Sequence, residues 1–229
     1  MPLKSLILLI PLCAFAQTPP VATASRLSQD TELNTDPESS LWKSAPHVTA
    51  DRDPLGQITP GHKTEIRLRW SPTALYLFYT CPYEKLYLRP ELNTRMETNK
   101  LWEWDVAEVF IGGDFEKYWQ YREYQVSPRA EWVDLDIDTH QPKPEGGWGW
   151  NSGYKVAARI DESKKTWFGA MRIPFDSIDA RKPVAGLEYR INFYRLQGPP
   201  PDRAMISWNP TGKKNYHVPE KFGLLRLEN

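Results

Sequence analysis

The chain of 229 residues has few cysteines and no excess of either charge, and both shortages exclude classes of protein. Of its two cysteines, Cys13 lies in an N-terminal apolar segment that we expect to be removed, which leaves Cys81 alone. One thiol cannot form an internal disulfide, so Cys81 is predicted to be a small buried residue of an apolar core. Lys and Arg together number 29, as do Asp and Glu, and the two signs are interleaved along the chain. Nucleic-acid binding requires a basic surface, so no nucleic-acid partner is expected.

Long apolar runs are also scarce, and the exception stands at the N-terminus. Residues 6–12 are apolar, Lys4 precedes them, and Ala14-Phe15-Ala16 follows the small-x-small rule of a cleavage site. Leu12 is too large for a lipoprotein-type site at Cys13, so cleavage is favoured over lipid attachment. Residues 1–16 are therefore predicted to be a signal peptide of a secreted or periplasmic protein. No other run is long enough for a transmembrane helix.

Helical periodicity is nearly absent, whereas alternation with period two is frequent. Residues 65–70 alternate, Ser71-Pro72-Thr73 turns the chain, and residues 74–80 continue as a strand, which predicts a β-hairpin. Further strands are predicted at 106–111, 119–127, 131–138, 154–160, 166–173, 187–196, 203–208 and 222–227. Residues 17–30 are small and polar and are expected to be a flexible leader. The rest, 31–229, is predicted to be a single all-β domain, an antiparallel β-sandwich.

Aromatic residues and carboxylates are concentrated in residues 101–111. This segment holds Trp102, Glu103, Trp104, Asp105 and Glu108, and it runs into a predicted strand. Indole rings cover the C–H faces of a sugar, and carboxylates accept its hydroxyl protons. Carbohydrate is therefore the predicted class of ligand.

A second acidic pattern lies in the predicted strand 131–138. One face carries Val133, Leu135 and Ile137, and the other carries Trp132, Asp134, Asp136 and Asp138. Hard cations prefer several oxygen ligands, so Asp134, Asp136 and Asp138 are candidates for a Ca²⁺ site. Side chains on one strand face stand roughly 6–7 Å apart, however, which favours a solvated acidic stripe as the alternative.

Six segments together carry a family pattern. They are 102–111, Tyr124-Gln125-Val126-Ser127-Pro128, 167–175 with its Ile-Pro-Phe ending, 189–195, Ile206-Ser207-Trp208 and 217–225. Their order and spacing, over roughly residues 32–228, resemble the family 9 carbohydrate-binding modules and their DOMON-like relatives. The resemblance implies a β-sandwich of jelly-roll or DOMON-like type that binds glycans, often carries structural calcium and is often attached to xylanases or cellulases. A β-glucan or xylan-type polysaccharide or oligosaccharide is thus the implied ligand, a glycoside hydrolase an implied partner, and no cofactor is required.

The resemblance also implies a site in which two aromatic side chains sandwich a sugar ring. Trp102 matches the first aromatic position, and Tyr216 falls at the second, where better-known members have tryptophan. Glu108 matches a carboxylate that binds the ligand. Gln125 stands where an arginine is expected, and Lys213 aligns near a position that is usually asparagine. These five residues are the predicted carbohydrate-binding set.

Glycoside hydrolysis is an alternative interpretation of the acidic segment. Glu103, Asp105 and Glu108 could supply the carboxylate pair of a glycoside hydrolase. The resemblance points instead to a non-catalytic module, and the chain has no Gly-x-Ser-x-Gly elbow. A carboxylate in an apolar strand needs a partner, so Glu108 is expected to meet either a ligand or an arginine, Arg122 or Arg190.

A haem-binding redox domain is the other alternative. Some DOMON-like proteins hold haem through axial Met, His or Lys ligands. The candidates in the mature chain are Met96, Met171, Met205 and His217. Their spacing fixes no geometry, so the sequence leaves this alternative open.

Overall fold

The computed structural model describes residues 18–145 and 147–229, so the proposed signal peptide lies outside the described residues. The strands are β1 (Val21–Arg26), β2 (His47–Ala50), β3 (Thr64–Trp70), β4 (Ala74–Pro82), β5 (Val106–Gly112), β6 (Gln120–Val126), β7 (Trp132–Asp138), β8 (Lys155–Asp161), β9 (Thr166–Pro174), β10 (Glu188–Gln197), β11 (Ala204–Ser207) and β12 (Gly223–Glu228). Short 3₁₀ helices lie at Leu101–Glu103, Phe175–Ser177 and Pro219–Lys221. In this part of the chain, no helix has the length and apolar character needed to span a membrane.

The strands form one large sheet folded into two facing halves. Their order is β7-β6-β5-β10-β12-β1-β3-β4-β9-β8, with β11 on β10 and β2 on β3. Strand β1 joins the halves, because it pairs in parallel with both β12 and β3. The other pairs are antiparallel, as in the β3–β4 hairpin, where Leu68 lies opposite Leu77. The predicted all-β sandwich is therefore confirmed.

All ten strands predicted from sequence alternation are present, but β1 and β2 were not predicted. The prediction of a flexible leader over 17–30 is wrong for β1, where Val21–Arg26 runs beside β12 with Val21 opposite Leu224. The inward residues of this strand are Ala22 and Ala24, both fully buried. Their small side chains fit between the two halves but give little hydrophobic signal.

The central core fills the space between the two halves. Leu68, Leu77 and Ile191 lie in it with no exposed surface, and Cys81 is buried beside them as a free thiol. Burial raises the pKa of Cys81 to about 12. The thiol is therefore protonated and inert at neutral pH, as expected of a small core residue.

Each half also has an apolar outer face. On the β3–β4–β9 half, Trp42 from the segment before β2 stacks on Phe78 at 5.0 Å between ring centroids, so the chain itself covers this face. On the β7–β6–β5–β10 half, the outer cluster includes Phe110, Val133 and Tyr194. Val133 thus packs on the outer face and not in the central core.

Candidate functional site

A cleft of about 260 Å³ opens on the outer face of the β7–β6–β5–β10 half. Phe110 and the carboxyl groups of Glu108 and Glu123 line it, and Trp102 and Tyr216 contribute aromatic walls. The structure therefore brings together three of the five residues in the predicted binding set.

The two carboxyl groups share a face because of strand register. In β5, Ala107, Val109 and Ile111 point into the central core, so the alternate residues Glu108 and Phe110 point outward. Glu108 lies opposite Gln125 of β6, and Phe110 lies opposite Glu123. Glu108 and Glu123 are therefore diagonal neighbours, which places their side chains within reach of each other. The structure thus adds Glu123, a polar residue on the apolar side of a strand, to the candidate site.

The pair retains protons near neutral pH. Burial raises the pKa of Glu108 well above its usual range, and the neighbouring Glu123 raises it further, whereas Arg203 lowers it. Burial also raises the pKa of Glu123, to about 7, while the hydrogen bond from Gln125 and the charge of Lys143 lower it. A protonated carboxyl group donates one hydrogen bond and accepts others, so the pair can serve both the proton and the lone pairs of a hydroxyl group.

The expected arginine partners of Glu108 are engaged elsewhere. Arg122 pairs with Asp136, and Arg190 donates hydrogen bonds to backbone carbonyls, including that of Tyr118 at 2.9 Å. Within the described residues, no hydrogen bond contributes to the pKa of Glu108, and Oε2 of its neighbour Glu123 is buried without a hydrogen-bond partner. A buried polar atom without a partner is costly, so the pair favours a ligand that supplies hydrogen-bond donors.

Two indoles border the open side of the cleft. Trp102 lies within the 3₁₀ helix Leu101–Glu103. Trp148 lies in the loop between β7 and β8, where its carbonyl accepts a hydrogen bond from Asp136 N at 2.9 Å. The ammonium nitrogen of Lys143 lies 5.8 Å from the Trp102 ring centroid and 5.5 Å from that of Trp148. Trp148 was not predicted from sequence. Its position between Gly147 and Gly149, in a loop and outside any strand, is the signal that could have indicated an indole available to a ligand.

Tyr216 is placed in the cleft as predicted, but it is not a free platform. Its ring stacks on Tyr194 with 4.0 Å between centroids, and its hydroxyl group donates to the carbonyls of Arg195 and Ile206. Only 5% of its surface is exposed. Tyr216 is therefore a fixed wall of the cleft, and the other half-buried indole beside Trp102 is Trp148.

His217 stands at the rim with one nitrogen committed. Its Nδ1 lies 2.6 Å from the Tyr121 hydroxyl group, and its ring lies 5.2 Å from that of Phe110. Burial raises the pKa of Tyr121, so the phenol keeps its proton and can donate it to Nδ1. Desolvation of the ring and the charge of Lys143 lower the pKa of His217, so the imidazole is neutral at pH 7. In the tautomer whose Nδ1 accepts from Tyr121, the proton of the neutral ring is on Nε2, which gives an N–H donor at the rim.

The remaining two residues of the predicted set do not line the cleft. Gln125 is fully buried and reaches the site through its hydrogen bond to Glu123. Lys213 is exposed and lies outside the lining, whereas its neighbours Lys214 and Asn215 form part of it.

The three aspartates of β7 do not converge on a common point. Asp134 is buried and accepts a hydrogen bond from Ser152 N at 2.6 Å, Asp136 pairs with Arg122, and Asp138 accepts from Gln120 at 2.9 Å. Among the described residues, no group of three or more His, Cys, Asp or Glu side chains is placed to hold a metal ion. These residues therefore do not fit the Ca²⁺ site proposed for them, and the prediction that their face is exposed is wrong for Asp134.

The carboxylates considered for hydrolysis have separate roles. Asp105 accepts hydrogen bonds from Tyr87 N at 2.8 Å and from Gln197 Nε2 and Gly198 N at 2.6 Å each, so it anchors the segment that precedes β5. Glu103 is exposed and lies outside the cleft lining. The three candidates for the carboxylate pair of a glycoside hydrolase are therefore not assembled in one place.

The candidate haem ligands are similarly dispersed. Met96 is 64% exposed, and Met171 lies in the central core. Met205 and His217 do share the cleft, but His217 is held through Nδ1 by Tyr121. The cleft volume of about 260 Å³ also falls below the roughly 300–1,000 Å³ common for small-molecule sites, which does not favour a large macrocycle.

Comparison with known proteins assigns this chain to a family. Residues 36–229 match the family described as carbohydrate family 9 binding domain-like. The chain belongs to this family. The resemblance to family 9 modules inferred from the sequence motifs is thereby confirmed.

Solved structures share the family 9 fold at low sequence identity. A family 9 carbohydrate-binding module from Caldicellulosiruptor kristjanssonii in complex with cellotriose is 15% identical, with a TM-score of 0.65, and the match covers 92% of this chain and 94% of that one. A putative carbohydrate-binding protein from Bacteroides uniformis is 14% identical, with a TM-score of 0.74 over 92% of this chain and 100% of that one. At these identities the likeness shows the fold.

A sequence relative comes from Arthroderma benhamiae and is described as an extracellular protein. It is 22% identical over 176 residues, which cover 71% of this chain and 78% of the relative.

Proposed function

We propose that this family 9 domain binds a glycan of the β-glucan or xylan type in the cleft and does not turn it over. The observation that carries this proposal is the meeting of the Trp102 indole with the buried pair Glu108 and Glu123 in one cleft. An aromatic face and a hydroxyl-binding carboxyl pair are the two groups that sugar recognition needs.

Each part of the cleft has a role in this proposal. The Trp102 ring covers one C–H face of a pyranose, and Trp148 borders the same opening. The Glu108 carboxyl group binds hydroxyl groups at the floor. Tyr216 and Tyr194 keep the wall rigid, so little conformational entropy is lost on binding.

The proposal of binding without catalysis rests on the same carboxyl groups. A glycosidase needs one ionised carboxylate and one acid on either side of the scissile bond. Here Glu108 and Glu123 lie side by side on one face, and Asp105 is engaged by the backbone. A pair on one side of the ligand suits hydrogen bonding better than cleavage.

Secretion is the other part of the proposal. The small-x-small motif Ala14-Phe15-Ala16 supports export and cleavage, and the mature chain would begin at Gln17. Mass spectrometry of the protein recovered from its native host tests this. A first residue of Gln17 is expected, and an intact Met1 or a lipid on Cys13 would contradict it.

A glycan panel tests the binding proposal. The purified wild type and the Trp102→Ala variant are each applied to cellulose, xylan and their oligosaccharides, and the amount of bound protein is compared. Binding that the variant loses supports the site. Absence of binding to every β-glucan and xylan would refute the proposed ligand class, and release of shortened oligosaccharides during incubation would refute the non-catalytic role.

A further inference from the structure

The cleft has an unbalanced distribution of charge. Lys143 and Lys214 line it, and within the described residues neither is within salt-bridge distance of a carboxylate. The two carboxyl groups at the floor do not offset these cations fully, because burial raises the pKa of both Glu108 and Glu123. Arg203 already supplies a positive charge behind Glu108. At neutral pH the cleft is therefore net positive.

Lys143 is placed where a bound sugar would meet it. Its ammonium group lies beside both Trp102 and Trp148, and its charge acts on both Glu123 and His217. It also stands between the cleft and an adjoining chamber of about 120 Å³, because both spaces are lined by Lys143 and the two indoles. A pyranose stacked on Trp102 must therefore contact this cation or displace it.

The other rim groups add hydrogen-bond donors and little negative charge. His217 contributes Nε2, which carries the ring proton in the tautomer whose Nδ1 accepts from Tyr121. Lys214 and Asn215 complete the same rim. The exposed Glu145 belongs to the adjoining chamber, where Lys100 also lies. The rim thus offers cations and N–H groups around the position of one edge of the sugar.

We infer that the cleft selects a glycan bearing a uronic acid, whose carboxylate pairs with Lys143 at the rim while its hydroxyl groups meet Glu108 and Glu123 at the floor. This inference rests on the proposed function, because it names the sugar class for the same cleft. A charge-assisted hydrogen bond to a carboxylate is stronger than one to a neutral hydroxyl group, so the cleft should bind the uronic acid more tightly than the neutral sugar. The ammonium group of Lys143 supplies this specificity.

Three matched methyl glycosides test this inference. Methyl β-D-glucoside, methyl β-D-glucuronide and the methyl ester of that glucuronide share one ring and differ only at C6, and the corresponding galacto set is run in parallel. Affinities are measured by titration followed with NMR at 50 mM and 500 mM NaCl. At low salt the uronide is expected to bind about tenfold more tightly than the glucoside or the ester, a difference of about 1.4 kcal/mol. The preference should shrink at high salt, because the ion pair lies at an exposed rim.

Two lysine variants locate the effect. Lys143→Met keeps the apolar stem against the indoles and removes the charge, so the uronide-to-glucoside affinity ratio should fall to about one. Lys155→Met, at an exposed lysine of β8 away from the cleft, should keep the wild-type ratio. Circular dichroism checks the fold of both variants.

The outcomes separate the two proposals. Equal affinity for the glucoside and the uronide overturns the uronic-acid inference and leaves glycan binding standing. No binding of any sugar in the two sets or in the β-glucan and xylan panel overturns both. A 6-sulfated glucoside that binds as tightly as the uronide would show that the rim selects negative charge and not a carboxylate.

Discussion

Replacing Glu123 with glutamine should remove a large part of the pH dependence of stability. Burial raises the pKa of Glu123 from 4.5 to about 7 in the folded protein, whereas the unfolded chain returns it to its ordinary value. Between these values the folded state binds more protons than the unfolded state. The contribution of Glu123 to the free energy of unfolding is therefore fully present below pH 4.5 and is lost as the pH rises through 7.

The magnitude follows from the same values. A pKa difference between 4.5 and about 7 corresponds to about 3 kcal/mol, at about 1.4 kcal/mol for each pKa unit. For a domain of this size, about 1 kcal/mol changes the melting temperature by about 2–4 °C, so the ionisation of Glu123 alone should lower the melting temperature of the wild type by roughly 6–12 °C. Glu123→Gln keeps the shape and cannot ionise, so the fall in melting temperature with rising pH should be smaller in the variant by this amount. Glu108, whose pKa burial also raises, keeps its own contribution in both proteins.

The assay is calorimetric melting from pH 4.5 to pH 8.5 at constant ionic strength. Glu103→Gln, which removes an exposed carboxylate near the same cleft, is the matched control and should follow the wild type. Glu97 also has its pKa raised to about 7 by burial and by Asp134, but it is present in all three proteins. Parallel pH profiles for the wild type and Glu123→Gln would refute the argument that the pair is buried and shares protons.

Three further outcomes are expected. Leu77→Ala in the central core should lower the free energy of unfolding by about 2–5 kcal/mol in urea titrations, whereas an unchanged midpoint would contradict the assignment of that core. Asp105→Asn should cost about 1–3 kcal/mol of stability, since a hydrogen bond to a charged acceptor is lost, and should weaken glycan binding by loosening the Trp102 segment; full-strength binding would show that the anchor is dispensable. Tyr121→Phe releases His217 and should weaken glycan binding several-fold, as measured by calorimetry. Tyr124→Phe, which loses only a hydroxyl contact to Ser177 on the core side, is the control and should bind like the wild type. Equal effects of the two substitutions would show that the His217 tautomer is irrelevant.

Much of the fold could be predicted because alternation reports which strand faces are buried. In β7 it correctly grouped Val133, Leu135 and Ile137 on one buried face, and Glu108, the carboxylate within an apolar strand, lines the cleft. It failed for β1, whose buried residues are alanines with little hydrophobic contrast. It also could not show that the apolar face of β7, which carries Val133, packs outside the central core, because periodicity gives two faces but not their partners.

The site was predicted less completely because its geometry depends on loops and long-range contacts. Trp148 is supplied by a loop, so no strand period revealed it. The stacking of Tyr216 on Tyr194 joins residues of different elements, and it converts a predicted platform into a wall. Lys143 reaches Trp102 from more than forty residues away, so the cation at the rim of the cleft could be found only in the folded chain.

Titration calorimetry of the wild type and Trp102→Ala with cello- and xylo-oligosaccharides tests the central claim most directly. Trp119→Ala is the matched control, because Trp119 is also half-buried but stacks on His140 away from the cleft lining. The account predicts that Trp102→Ala loses about 2 kcal/mol of binding free energy, roughly thirtyfold in affinity, while Trp119→Ala binds like the wild type. A folded Trp102→Ala protein with wild-type affinity would contradict the assignment of this cleft as the glycan site.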